Sequence, residues 1–131
     1  MEPRSGRRHW EEGVIWREQA LIARDKALAG KADATFAEGA RVDPYDLNNL
    51  SERVRLHRAH AALLENPAPP ATILAWSEQL LKQRPYSVAI QAEYVRSLAY
   101  AGRVDEARRL SRAMAAKNPA SPIVRRLAAE I

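Results

Sequence analysis

The chain has no cysteine among its 131 residues. Disulfides, thiol catalysis and thiolate metal sites are removed together, and the compartment is left undecided. Aromatic residues make up only 6%, so the core must be built from small aliphatic side chains. β-Branched residues are sparse, which argues against strands. No apolar run approaches the roughly 18 residues that a bilayer span needs. The amino terminus is basic at Arg4, Arg7 and Arg8, but no apolar signal segment follows. There is no glycine-rich phosphate loop and no glycine-flanked serine turn.

What is present is helical composition: alanine, leucine, arginine and glutamate dominate. Hydrophobic residues make up 47% and charged residues 28%, which suits one globular all-α domain of this length. The net charge of +5 is uneven. Residues 51–131 hold thirteen Arg or Lys against seven Asp or Glu, whereas residues 1–50 hold eight against nine. The second part is the basic part, and it favours an anionic partner.

Residues 1–8 are polar, contain Pro and Gly, and predict disorder. From His9 to about Gly30 the pattern predicts one long helix. Val14, Leu21 and Leu28 recur every seven residues, as do Ile15, Ile22 and Ala29, and between those rows lie Glu11, Glu18 and Asp25. These acids lie at the solvent margin or face arginines of the domain or of a partner. Trp10 and Trp16 fall on opposite sides, so one is expected to stay exposed or to dock on another chain. Residues 31–42 read as a connection with one turn near Phe36, which should plug the core. Asp43-Pro44-Tyr45-Asp46 reads as a helix start. That helix runs to about Glu65, with Leu47, Leu50, Val54, His57, Ala61 and Leu64 inward.

Asn66-Pro67-Ala68-Pro69-Pro70 breaks the chain stiffly. A helix over about Ala71 to Arg84 follows, with Ile73, Leu74, Ser77, Leu80 and Leu81 inward. Ser87 then caps a helix whose face is Ile90, Tyr94, Leu98 and Ala101. Gly102 ends it. The next helix buries Val104, Ala107, Leu110, Ser111 and Met114, and Asn118-Pro119 stops it. Ser121-Pro122 opens a last helix with Ile123, Leu127 and Ile131 as cover.

Pro85 and Pro119 stand 34 residues apart with two helices between them. The window from Val88 resembles a tetratricopeptide repeat: Gly102, Ala107 and Pro119 fall on that family's Gly, Ala and Pro positions. Gln91, Val95 and Ser111 depart from its usual Trp, small residue and late aromatic. Val54 to Pro85 has repeat length and reads as a divergent first repeat. The resemblance implies a stack of antiparallel helical hairpins, about six helices in all with a long leading one, forming a single domain over 9–131. It also implies a concave groove lined by Arg55, Arg58, Ala89, Ala92, Arg96, Tyr100 and Arg126. Ala92 stands where relatives that clamp a terminal carboxylate carry Lys, so that ligand is not expected. A second resemblance rests on Ala101-Gly102-Arg103-Val104-Asp105-Glu106-Ala107. It is to the soluble tail of bacterial O-antigen-polymerase or pilin-glycosylation-ligase membrane proteins.

His57 and His60 lie three apart on one helix and lack a third ligand at matching spacing, so no metal or cofactor is expected. Adjacent acids at Glu11-Glu12 and Asp105-Glu106 point apart on a helix and make no acid–base pair. The reading is therefore a non-catalytic protein-interaction module. It would take an acidic peptide or protein in a basic groove of Arg55, Arg58, Arg96, Tyr100 and Arg126, and could pair through its leading helix with another copy or a larger complex. The alternatives are an accessory domain of a bacterial membrane glycan polymerase or ligase, and a nucleic-acid binder using Arg108, Arg109 and Arg112. The last lacks interleaved aromatics. The expected location is cytoplasmic for a complete chain and periplasmic for a membrane protein's tail.

Overall fold

The structure is a computed structural model and describes residues 5–131. Among the described residues it is all-α: seven helices, one short 3-10 turn and no strand. The chain divides into two compact units, Met1–Ala68 and Pro69–Ile131. The single repeat stack expected over 9–131 is thus met as two bodies, each with its own core.

The first unit opens with α1 (Gly6–Ala23), capped by the Ser5 hydroxyl accepting from the Arg8 N–H. The disorder expected over residues 1–8 therefore gives way to helix from Gly6, and residues 1–4 lie outside the described residues. The long leading helix is also corrected. It breaks at Arg24, which takes the left-handed conformation with φ 51°, and the Asp25 N–H bonds back to the Ala20 carbonyl at 3.1 Å. Asp25 then caps α2 (Lys26–Val42), its carboxylate accepting from the N–H groups of Ala27 and Leu28. Residues 31–42, expected as a connection, are the body of that helix, and Gly30 lies inside it.

A two-residue connection folds α2 back along α1. Small residues on the facing surfaces let the pair approach closely: Ala20, Ala29 and Ala32 are buried. Gly13 is required by the same closeness, because a methyl group there would collide with the Phe36 ring. Phe36 is fully buried, as expected. Trp10 and Trp16 both pack against this core; neither is an exposed anchor. The exposed large apolar residues of α1 are Ile15 and Ile22.

The Asp43-Pro44 segment forms a turn of its own. The helix α3 (Asn48–Ala59) starts later, after the Asp46 carboxylate accepts from the Asn48 N–H at 3.1 Å. It ends at Ala59 rather than near Glu65, and a 3-10 turn at Ala61–Leu63 follows. Its buried face carries Asn49, Glu52 and His57 beside Val54 and Leu56.

The second unit follows the sequence closely. It holds α4 (Pro70–Gln83), α5 (Val88–Tyr100), α6 (Val104–Lys117) and α7 (Pro122–Glu130). Ser87 and Ser121 cap α5 and α7 through their hydroxyls. Helix α5 packs on α4, α6 and α7. Leu74, Ala92, Val95, Leu98, Ala107, Met114, Val124 and Leu127 make the core. Ile123, expected as cover, is exposed, and Val124 is buried instead. Between α5 and α6, Gly102 has φ 88°. Its N–H bonds to the Ala99 carbonyl and that of Arg103 to Leu98, which is a Schellman end.

The two left-handed helix ends make opposite predictions. Arg24→Gly should raise stability by about 0.5–1 kcal/mol, because a side chain in that conformation costs about 1 kcal/mol or more. Gly102→Val should lower it by about 1–2 kcal/mol for the same reason. Denaturant midpoints of the two variants against the parent check both signs.

Candidate interaction surface

The five expected groove residues divide between the units: Arg55 and Arg58 on α3, Arg96 and Tyr100 on α5, Arg126 on α7. In the first unit Arg55 contributes its guanidinium to Glu52 at 2.6 Å. Glu52 is only 5% exposed and is also held by Arg17 of α1. Burying a carboxylate is costly unless it is paired, so these two arginines balance it. Arg58 is half-buried on the next turn.

A second polar knot lies one turn along. Asp33 of α2 accepts from Arg53 Nε at 2.8 Å and faces His57 Nε2 at 2.9 Å. The other ring nitrogen, Nδ1, accepts the Ala68 N–H at 2.8 Å. A nitrogen that accepts carries no proton, so His57 holds its hydrogen on Nε2 and donates it to Asp33. Both ring nitrogens are thus engaged in holding the end of the unit. Burial works to raise the Asp33 pKa, but hydrogen bonds from His57 and Arg53 outweigh it and hold the carboxyl below its ordinary value. Among the described residues no cluster of three His, Asp or Glu could hold a metal ion.

In the second unit Arg96 is committed internally. Its Nε donates to Glu130 of α7 at 2.6 Å and its Nη1 to Glu93, one turn back, at 3.3 Å. Ala92, expected on a groove floor, is fully buried. This face of α5 turns into the unit and receives α7 rather than presenting a basic floor. Tyr100 and Arg126 are exposed, and Arg126 has no hydrogen bond or ion pair among the described residues.

The charges that remain lie elsewhere. Residues 69–131 carry ten basic and five acidic side chains, whereas residues 1–68 carry eleven of each. The whole net charge thus belongs to the second unit. Three of its five acids are occupied: Glu93 and Glu130 on Arg96, and Glu106 on Arg103. Arg108, Arg109 and Arg112 are exposed on α6 and have no partner among the described residues. Arg112 stands four residues from Arg108 and three from Arg109, where like charges repel by about 0.2–0.5 kcal/mol per pair.

Two recesses open on this unit. One, of about 320 Å³, is lined by Leu81, Tyr94, Val95, Leu110 and Met114 with Lys117 at its edge. The other, of about 210 Å³, lies between α6 and α7 and includes Arg108, Ser111 and Arg112. Among the described residues no helix is long and apolar enough to cross a membrane.

The cluster of Arg108, Arg109 and Arg112 was visible in the sequence. The occupation of Arg96 was not, since its partner Glu130 lies 34 residues away. No family model, characterised protein or solved structure matches the chain.

The two networks yield separate predictions. Replacing Arg96 with Ala should cost the second unit about 1–2 kcal/mol, because two carboxylates lose their shared donor; Arg112→Ala should be near neutral, and urea melts of the pair decide it. For Asp33, a depressed pKa means stability that is full above the ordinary value of 3.8 and is lost as the pH falls through the folded value below it. Denaturation midpoints should therefore separate the parent from Asp33→Asn most at neutral pH, with the gap closing below about pH 4.

Proposed function

We propose that the chain is a non-catalytic interaction module that engages an acidic protein or peptide through the outer face of α6. One observation carries this reading: the second unit holds all of the net charge, Glu93 and Glu130 are spent on Arg96 and Glu106 on Arg103, and Arg108, Arg109 and Arg112 have no ion-pair partner among the described residues, with only the exposed Asp105 left near them in sequence. A fold under no constraint but its own stability gains nothing from three unbalanced cations within five residues. Attraction to an opposite surface offsets their repulsion and speeds encounter. The tetratricopeptide-like pattern over 88–119, with its Schellman end at Gly102, is consistent with a scaffold or adaptor role. The exposed aromatics of this unit are Tyr86 and Tyr100, and neither lies on α6. That disfavours nucleic acid, whose single strands are gripped by stacking.

The test uses a fluorescent glutamate-rich peptide and labelled single- and double-stranded DNA, with anisotropy read at low and at physiological salt. The peptide should bind, more weakly as salt rises. Simultaneous Arg108→Glu, Arg109→Glu and Arg112→Glu should weaken it by roughly tenfold or more with unchanged helical circular dichroism, since all three side chains are exposed. Tighter binding of DNA than of peptide, or an unaltered affinity in the triple variant, would sink the reading.

A further inference from the structure

Ser111 is unlike the other buried serines of its unit. Ser77 and Ser97 bond each other at 2.7 Å, and Ser77 also donates to the Ile73 carbonyl. Ser111 is just 4% exposed, yet its hydroxyl has no hydrogen-bond partner among the described residues. Its oxygen is not enclosed: among the described residues the enclosed, unbonded side-chain atoms are Trp16 Nε1 and Asn49 Oδ1, so the Ser111 hydroxyl opens to solvent, which can bond it. It lines the recess between α6 and α7, so a ligand entering there can reach it.

Arg108 and Arg112 flank that hydroxyl. They lie one turn apart on the same face of α6, and neither has an acidic partner among the described residues. The rest of the lining is aliphatic: Ala115, Ala128 and Ile131. No acidic side chain lines the recess, and no aromatic one does. Its volume is about 210 Å³, room for roughly seven water molecules at ~30 Å³ each, or for one side chain.

We propose that this recess seats a single carboxylate on an aliphatic stem, as in a glutamate side chain of the acidic partner. The proposal rests on the interaction reading above and gives it an anchor point. Arg108 and Arg112 donate to the two carboxylate oxygens, the geometry that a planar guanidinium serves best. The Ser111 hydroxyl donates to one of the same oxygens. The methylenes of the stem lie against Ala115, Ala128 and Ile131. A free phosphate would satisfy the donors but leave the aliphatic wall uncovered. A nucleotide would find nothing to stack on.

The experiment titrates the intact chain with the glutamate-rich peptide and follows the Nε–H resonances of arginine by NMR. Four variants accompany it. Arg112→Gln removes a donor, and Ala128→Met fills the recess from an exposed position. Ser111→Ala removes the hydroxyl, and Arg109→Gln alters a cation of the same helix outside the lining. The first two should each weaken binding by roughly tenfold and Ser111→Ala by a few-fold, while Arg109→Gln should change it less than about twofold. Equal losses from Arg109→Gln and Arg112→Gln, with Ala128→Met inert, would mean a diffuse basic face. The seat would then fall and the interaction reading would stand. No binding of the peptide by the parent chain would remove both. A glutamine-for-glutamate peptide of the same affinity would overturn the carboxylate assignment. So would inorganic phosphate competing with the same dependence on the variants.

Discussion

Arg96 sits between Glu93 and Glu130, and that arrangement determines what the second unit has left to offer. It fixes the last helix against the central one. Beside it the apolar face of α5, with Ala92 fully buried, packs into the core of the unit. Two of five acids are consumed there, and Glu106 on Arg103 consumes a third. Arg108, Arg109 and Arg112 of α6 are left without an ion-pair partner among the described residues, with only Glu78 and Asp105 unspent in their unit. The internal ion pairs and the exposed basic face are thus two consequences of one distribution of charge.

The first unit solves its electrostatics differently. Its acids and bases are equal in number, and the buried ones close on each other. Glu52 lies between Arg17 and Arg55, and Asp33 between Arg53 and His57. Buried ionic groups of this kind contribute little net stability compared with apolar packing, but each loses heavily if one partner is removed. They make the α1–α2–α3 arrangement intolerant of wrong registers. The small-residue contact at Gly13, Ala20, Ala29 and Ala32 brings backbones close without itself choosing a register, so the polar pairs and the Phe36 ring supply the choice.

This contrast explains what was legible in the sequence. In the second unit the punctuation is local: Ser87, Gly102, Asn118-Pro119 and Ser121-Pro122 each fix a helix end through their own backbone chemistry, and each was readable. In the first unit the decisive end is at Arg24, a residue with no intrinsic preference for the left-handed conformation. The heptad rows of Val14, Leu21 and Leu28 therefore ran straight across the break. The capping role of Asp25 could have been seen, because Asp before Lys-Ala-Leu is a plausible helix start, but the repeat with Glu11 and Glu18 gave it another explanation. Of the expected groove, Arg55, Tyr100 and Arg126 are exposed, but Arg55, like the part-buried Arg96, is paired within its own unit, to Glu52 and Glu130 respectively. Sequence periodicity reports which side of a helix a residue occupies. It does not report whether an acid from a distant helix has already claimed its charge.

The same limit bears on how basic surfaces should be read in helical chains of this kind. Counting arginines would have given Arg55, Arg58 and Arg96 the same weight as Arg108 and Arg112. Subtracting the acids that the fold delivers removes Arg55 and Arg96 and leaves Arg108 and Arg112. That pair lies beside a serine whose hydroxyl has no hydrogen-bond partner among the described residues and opens to the recess, which charge alone would never single out. A solvated arginine face needs no such hydroxyl, since water and ions move over it freely. An unmet donor between two unmet cations, above an aliphatic wall, has the composition of a fitted seat rather than of a surface kept basic for solubility.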